Sequence, residues 1–402
     1  MYKRLSSLHN KRYSEILQVL ENTNLEFFGR TLREGTLVSR NIKNKTYWYF
    51  EKMTDGKLEY VYIGPDSVDI SEQINLIKEI KPILLRQAKD LAQSGGYKFF
   101  GPAAKILSAL GDAGLFAAGA VLVGTNAFLA YQNMLGVRWQ TPRDFLSTGD
   151  IDFAQSSRFS FGIPLNVAEP LKKSLLGLAA TPFRRSLLQK GDPWIYQVKD
   201  GDVGFDIEFL TPLTGPEPEE SKTIKLPWLG VAAQPLRFMD YLIEGSSRVV
   251  VLPERGALLA NVPDPGRFAL HKLIVAERRP PGNFVKKAKD RIQASAIIQV
   301  LAETAPEILT MAWEDLVRDH PTWGKIVQES TLKLPKNILA LPWVQKMMTD
   351  HNGGHLSVPA EHSARIRENL KAGIAEKNKE ADTPDLHEAP LLIEEDDSHG
   401  PE

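Results

Sequence analysis

The chain predicts an α+β fold: a mixed sheet flanked by helices, preceded by an N-terminal helix and β-hairpin module and followed by a helical C-terminal region. Three patterns lead there. Two aromatic and β-branched runs, 46–50 and 58–63, flank Asp55-Gly56, a strong hairpin signal. Between about residues 100 and 230, helix-like and strand-like segments interleave, as a sheet with covering helices requires. From Pro265 to about Met348 helical periodicity takes over.

Composition sets the outer limits. The 402 residues give room for two or three domains, and 43% apolar with 25% charged residues is an ordinary globular balance. A net charge of −1 provides no global attraction to nucleic acid or an anionic membrane, which leaves only a local basic face for such contacts. With no cysteine, disulfides, thiolate catalysis and cysteine-held zinc are excluded. The basic start has no apolar segment behind it, so a signal peptide is not expected. The longest apolar stretch, 113–123, is well short of the roughly 20 residues that span a bilayer. The expectation is a cytoplasmic protein without a membrane partner.

Taken in order, Tyr2 to Asn22 reads as a helix with a basic face of Lys3, Arg4, Lys11 and Arg12. The hairpin strands follow, the second closed by Gly64-Pro65-Asp66. Ser71 opens a long helix that stops at Ser94-Gly95-Gly96. Next come a helix over 102–110, a buried strand over 116–123 and a helix over 126–135. A short strand at 150–153, a helix over 165–177 and a strand at 205–210 complete the middle region. Between about 225 and 262 the chain is Pro-rich with short strands, 248–252 the clearest. From Lys377 prolines and acids accumulate, including 394–397, the composition of a disordered tail. The expected boundaries are 1–95, 96–262, 263–376 and 377–402, and no internal repeat is found.

The chemistry is concentrated in Val121-Leu-Val-Gly124-Thr125-Asn126 and Thr148-Gly149-Asp150-Ile151-Asp152. A strand period of two places Asp150 and Asp152 on one face, about 7 Å apart along the chain. Carboxylates aimed together repel unless a cation lies between them, and Mg²⁺ prefers such hard oxygen ligands together with substrate phosphates. A Gly-Thr turn entering a helix offers backbone N–H groups and a hydroxyl to phosphate oxygens. A third acid comes from Gly204-Phe205-Asp206-Ile207-Glu208, where Asp206 and Glu208 also share a face. These are parts for metal-assisted nucleotidyl transfer. A chance D-x-D and an edge strand with two solvated acids are the plain alternatives.

The order of Gly-Thr turn, D-x-D and a later acid resembles the DNA polymerase β-like nucleotidyltransferase superfamily. It looks especially like a bacterial subgroup of nucleotidyltransferase-fold proteins, over about residues 100–300. The resemblance implies a nucleotidyltransferase-fold enzyme that moves an NMP from an NTP such as ATP to an acceptor, with Mg²⁺ or Mn²⁺ as cofactor. It implies catalytic roles for Asp150, Asp152 and Glu208 or Asp206, and favours Glu208 as third metal ligand because Leu210-Thr211-Pro212 follows it in register. Downstream, Lys272-Leu273 and Arg279 are spaced as in the AbiEii abortive-infection toxins, which continue with Arg-Asp-x-x-Asp. Here that second motif is altered: Lys289 precedes Asp290, and Gln293 stands at the last position. The likeness implies nucleotide contacts from Gly124, Thr125, Asn126, Lys272, Arg279 and Lys289. It also implies a toxin–antitoxin setting with a cognate antitoxin and a tRNA or other RNA acceptor. His271 reads as a general base or, more simply, as a structural histidine.

Residues 1–60 hold eleven Lys or Arg against seven acids, interleaved with Tyr47, Trp48, Tyr49 and Tyr60, and Tyr62 follows. That mixture suits RNA binding, and it equally suits a small sheet whose aromatics are its core. Two rivals to an enzyme stand beside the main reading: a catalytically silent nucleotide sensor and a nucleic-acid-binding interaction protein.

Overall fold

The computed structural model describes residues 1–22, 36–54, 57–142, 146, 148–156, 165–184, 191–200, 203–213, 215 and 222–350. The Asp55-Gly56 turn and the expected acidic tail lie outside them. The chain opens not as a helix but as strand β1 (Tyr2–Arg4), paired antiparallel with β6 (Val137–Trp139). Helix α1 (Ser7–Asn22) begins only at Ser7 and buries Tyr13, Ile16 and Leu17. The expected hairpin is a three-stranded sheet: β2 (Thr36–Ile42), β3 (Lys45–Thr54) and β4 (Lys57–Pro65). Its first turn places Lys43 and Asn44 at φ 51° and 60°, the pair of positive values that a two-residue hairpin demands. Helix α2 (Val68–Gln93) starts three residues earlier than expected, because the Ser67 side chain accepts the Ile70 N–H at 3.3 Å as its N-cap.

Helix α3 (Gly101–Asp112) leads to β5 (Val121–Val123), far shorter than the strand expected over 116–123. The preceding segment is buried but irregular, turned by Gly114 and Gly119 at φ 86° and 87°. Its carbonyls find an amide in place of a strand partner: Asn261 Nδ2 donates to Phe116 O at 2.7 Å and to Ala120 O at 2.9 Å. Helix α4 (Gly124–Met134) follows at once and is buried from Thr125 to Met134, packing on β5, on β7 (Asp150–Ala154) and on β13 (Ser247–Val251).

Among the described residues the central sheet is mixed and seven-stranded, as the sequence predicts in kind. After α5 (Ala168–Gly177) come β8 (Thr181–Phe183), β9 (Ile195–Asp200), β10 (Val203–Pro212), β11 (Ile224–Leu226) and β12 (Val231–Leu236). β10 is its hub. It pairs with β7 in parallel on one edge, and with β9 and then β12 along the other. β5 closes the β7 edge antiparallel. Short helix α6 (Met239–Ile243) and the β13–β14 (Leu258–Val262) hairpin connect to the helical region.

There α7 (Pro265–Arg278) is the pillar, packed by α8 (Phe284–Thr304), α9 (Pro306–Asp319) and α10 (Pro321–Thr331), with α11 (Lys336–Leu339) and α12 (Pro342–Thr349) beyond. Among the described residues, no helix is long and apolar enough to cross a membrane.

Arg267, on the first turn of α7, is buried and holds three neighbours together. It donates to Tyr241 O at 3.1 Å, Glu244 at 3.0 Å and Asp315 at 2.5 Å. Removing one partner of a buried ion pair strands the other, at a cost of about 3–5 kcal/mol. Arg267→Ala is expected to lose about that much, read as a lowered urea midpoint with an unchanged m-value.

Candidate functional site

The acids owe their meeting to strand register. On β7, Ile151 and Phe153 face the core, and on β10 Ile207 and Phe209 do the same. The intervening Asp150, Asp152, Asp206 and Glu208 therefore share the opposite face. Parallel pairing sets Asp206 across from Asp150 and Glu208 across from Asp152. Oxygens of Asp150, Asp152 and Glu208 all lie within 4.8 Å of one another. Asp206 falls outside that group, and its Oδ1 accepts from Gln197 Nε2 on β9 at 3.0 Å.

The β5–α4 turn abuts the acids. Val123 pairs with Asp152, and Gly124 follows at φ 65°. A Cβ on Gly124 would overlap Asp152 Oδ2, so glycine is required both for the backbone angle and for the close approach. Asn126 Nδ2 donates to Asp150 O at 2.9 Å, and the Thr148 hydroxyl donates to Asp150 Oδ1. Both contacts steady Asp150 from within two residues or from the helix entry. Thr125 sits differently from its expected place at a phosphate. It is 7% exposed, and its Oγ1 accepts from Gln293 Nε2 on α8 at 3.5 Å.

The downstream basic residues gather around Asp290, which is 2% exposed. Lys272 Nζ donates to one of its oxygens at 2.9 Å and Arg279 Nε to the other at 2.6 Å. Burial by itself would raise the Asp290 carboxyl, but the Lys272 charge and the Arg279 hydrogen bond hold it below the usual carboxylate range. Lys289 is half-buried, and its ammonium is pushed down, first by burial and then by Lys272. Asp150 and Asp152 pull it the other way, which places Lys289 within electrostatic reach of the acids.

Sequence reasoning missed Asp290 as the organiser of Lys272 and Arg279, and missed Thr148, Gln197 and Gln293 as buttresses. The spacing of the altered motif was the available signal for Asp290 and Gln293. Nothing in sequence alone marks Gln197, whose contact depends on β9 pairing with β10.

His271 lies buried on α7. Burial, followed by the Lys272 charge, pushes its imidazole down to about 3. It is therefore neutral at pH 7, and among the described residues Nδ1 has no hydrogen-bond partner. A histidine that protonates more readily unfolded costs stability as pH falls from about 6.5 towards 3. Asp264, pushed up to about 6 by burial, contributes in the opposite sense over the same window, so the wild-type curve alone does not isolate His271. The stability difference between wild type and His271→Gln is expected to change by about 2 kcal/mol between pH 6.5 and 5, to the disadvantage of wild type. Denaturant titrations at each pH measure it.

Gly124→Ala is expected to cost more than about 1 kcal/mol of stability and to displace Asp152. Mn²⁺ titration followed by electron paramagnetic resonance should then show weaker binding than in wild type, whereas an unchanged titration would separate Gly124 from the acid cluster.

Three carboxylates of one face, a helix N-terminus beside them and two lysines nearby are what a phosphate-transferring site needs: hard anionic ligands for a cation, and donors for phosphate oxygens. Neither the curated proteins nor the solved structures with which the chain was compared give a match. A family model described as nucleotidyltransferase matches residues 102–318, more than half of the chain and the whole of the region holding this site. The chain belongs to that nucleotidyltransferase family.

Proposed function

We propose that this protein is a metal-dependent enzyme that transfers an NMP from an NTP to an acceptor at the β7–β10 acids. The observation that carries the reading is the convergence of Asp150, Asp152 and Glu208 within 4.8 Å in a chain of the nucleotidyltransferase family. The donor set is all-oxygen and anionic, which fits Mg²⁺ or Mn²⁺. Asp150, Asp152 and Glu208 are the residues that would hold it. A divalent cation held there supplies neutralisation of phosphate charge and orientation of the reacting phosphate.

The remaining roles belong to the chain itself. Gly124 opens α4, so backbone N–H groups of its first turn are the donors for phosphate oxygens. Lys272 and Lys289 add point charges for the triphosphate, with Lys272 held in place by Asp290. Arg279 shares that carboxylate, which makes it a brace for Lys272 as well as a nearby positive charge. Asn126 orients Asp150 through its carbonyl. In the transfer, an acceptor oxygen bonds to the α-phosphorus, the bond to pyrophosphate breaks, and the acceptor proton is released. Glu208 is preferred over Asp206 because it converges with Asp152, while Asp206 engages Gln197.

RNA is the acceptor this reading favours. On the three-stranded sheet, Tyr60 and Tyr62 are exposed on the face that also carries Tyr47 and Tyr49. The Arg40 guanidinium lies over the Tyr60 ring at 3.8 Å. Phe50 is the buried aromatic of that sheet, and Trp48 turns towards Lys78 of α2. Tyrosines with an arginine on an open face suit stacking with unpaired bases.

Incubation with each radiolabelled NTP, Mg²⁺, and total cellular RNA or protein tests the reading. Label is expected in RNA. Asp152→Asn and Glu208→Gln should each reduce labelling at least about a hundredfold, since losing even an outer-shell partner of a metal site costs 10–100-fold. Asp206→Asn should cost much less. Full labelling by Asp152→Asn would sink the assignment.

A further inference from the structure

A cavity of about 360 Å³, lined by neither Lys272 nor Lys289, has no part in the transfer proposed for the acid cluster. Its walls are Tyr97, Phe99, Phe100 and Phe205, and its polar lining includes Asn126 and Thr148. Those last two are the residues that bond the Asp150 carbonyl and carboxylate, so the cavity opens directly beside the acid cluster. Among the described residues no charged side chain lines it. A pocket of this size, mostly apolar with several aromatic rings and a few polar groups, has the make-up of a small-ligand site.

The walls are fixed in advance. Asn133 clamps the Tyr97 backbone from both sides, accepting from its N–H at 2.5 Å and donating to its carbonyl at 3.1 Å. The Phe99 N–H donates to Leu252 O at 2.8 Å. The Tyr97 and Phe99 rings meet edge-to-face, 5.1 Å between centroids at 87°. Phe100, by contrast, is 67% exposed at the rim, a large apolar ring left in solvent beside a cavity. Anchored rings with one open edge suit a flat, neutral, aromatic guest, and pre-anchoring reduces the ordering cost of binding it.

We infer that this cavity is a ring-binding subsite that stacks a nucleobase of a substrate bound at the acid cluster. The inference rests on the nucleotidyltransferase reading above. The same chemistry has two sources, the base of the incoming NTP and a base of the acceptor. Because its described lining has few polar groups and no charged one, the subsite holds a base by stacking and discriminates weakly among the four.

The test uses the full chain with Mg²⁺ and compares each NTP with inorganic tripolyphosphate, which has the phosphates without a ring. Ala103 lines the cavity from α3, and Ala103→Phe fills it. Phe100→Ala removes the exposed rim ring and is chosen because that position is not part of the core. If the ring comes from the NTP, wild type should bind all four NTPs more tightly than tripolyphosphate. Both variants should then weaken NTP binding, Ala103→Phe about tenfold or more, with tripolyphosphate affinity unchanged. If the ring comes from the acceptor, NTP affinity should hold while labelling of total cellular RNA at saturating NTP falls about as far. Variants that keep both NTP affinity and labelling overturn the subsite and leave the acid-cluster reading standing. Failure of wild type to bind either tripolyphosphate or any NTP overturns that reading, and the subsite with it.

Discussion

Three carboxylates held within 4.8 Å of one another repel, and much of the surrounding structure answers that repulsion. At an effective dielectric near 20, each pair at about 4 Å costs roughly 4 kcal/mol. The Thr148 hydroxyl on Asp150 and the positive charge of Lys289 offset part of that repulsion. The arrangement persists because parallel pairing of β7 with β10 is fixed by the apolar faces beneath it, Ile151 and Phe153 against Ile207 and Phe209. Slipping by one residue would drive the acids into that core. The sheet thus imposes a concentration of negative charge that a cation and its phosphates complement.

A second buried charge centre provides the opposite sign. Asp290 alone would be a costly buried carboxylate, yet with Lys272 and Arg279 on its two oxygens the cluster carries a net positive charge. Lys289, one residue earlier on α8, is half-buried and senses both this cluster and the acids. An anion placed between the two centres would meet lysines on the helical side and, through a bound cation, the acids on the sheet side. Neither centre is built from the elements of the other, so the gap between them is set by how α7 and α8 pack on the domain that carries the sheet.

What could be read from the sequence follows the range of each interaction. That Asp150 and Asp152 share a face is legible, because strand alternation is local. The choice between Glu208 and Asp206 is not, because it depends on which rung of β10 meets Asp152, a fact of register between strands more than fifty residues apart. β2 went unseen because Lys43-Asn44 holds positive φ without the usual glycine. The apolar run before β5 imitates a strand, but Gly114 and Gly119 turn it and the distant Asn261 satisfies it. Thr125 shows the limit from the other side: the Gly-Thr pair is plain in the sequence, yet the hydroxyl turns to Gln293, 168 residues downstream.

Gln293 also gives a physical sense to the altered motif. An aspartate at that buried position would add a second negative charge within one turn of Asp290 on α8, and would compete for Lys272 and Arg279. A neutral amide donates to Thr125 Oγ1 without drawing on those cations. Thr125 belongs to the first turn of α4, whose N-terminus abuts Asp152, and Gln293 lies one turn of α8 beyond Lys289. The contact therefore ties the helix that carries the lysine to the helix entry beside the acids. Being neutral and buried, that tie is insensitive to ionic strength, so salt should screen the attraction of phosphates to this site without altering the alignment of its two halves.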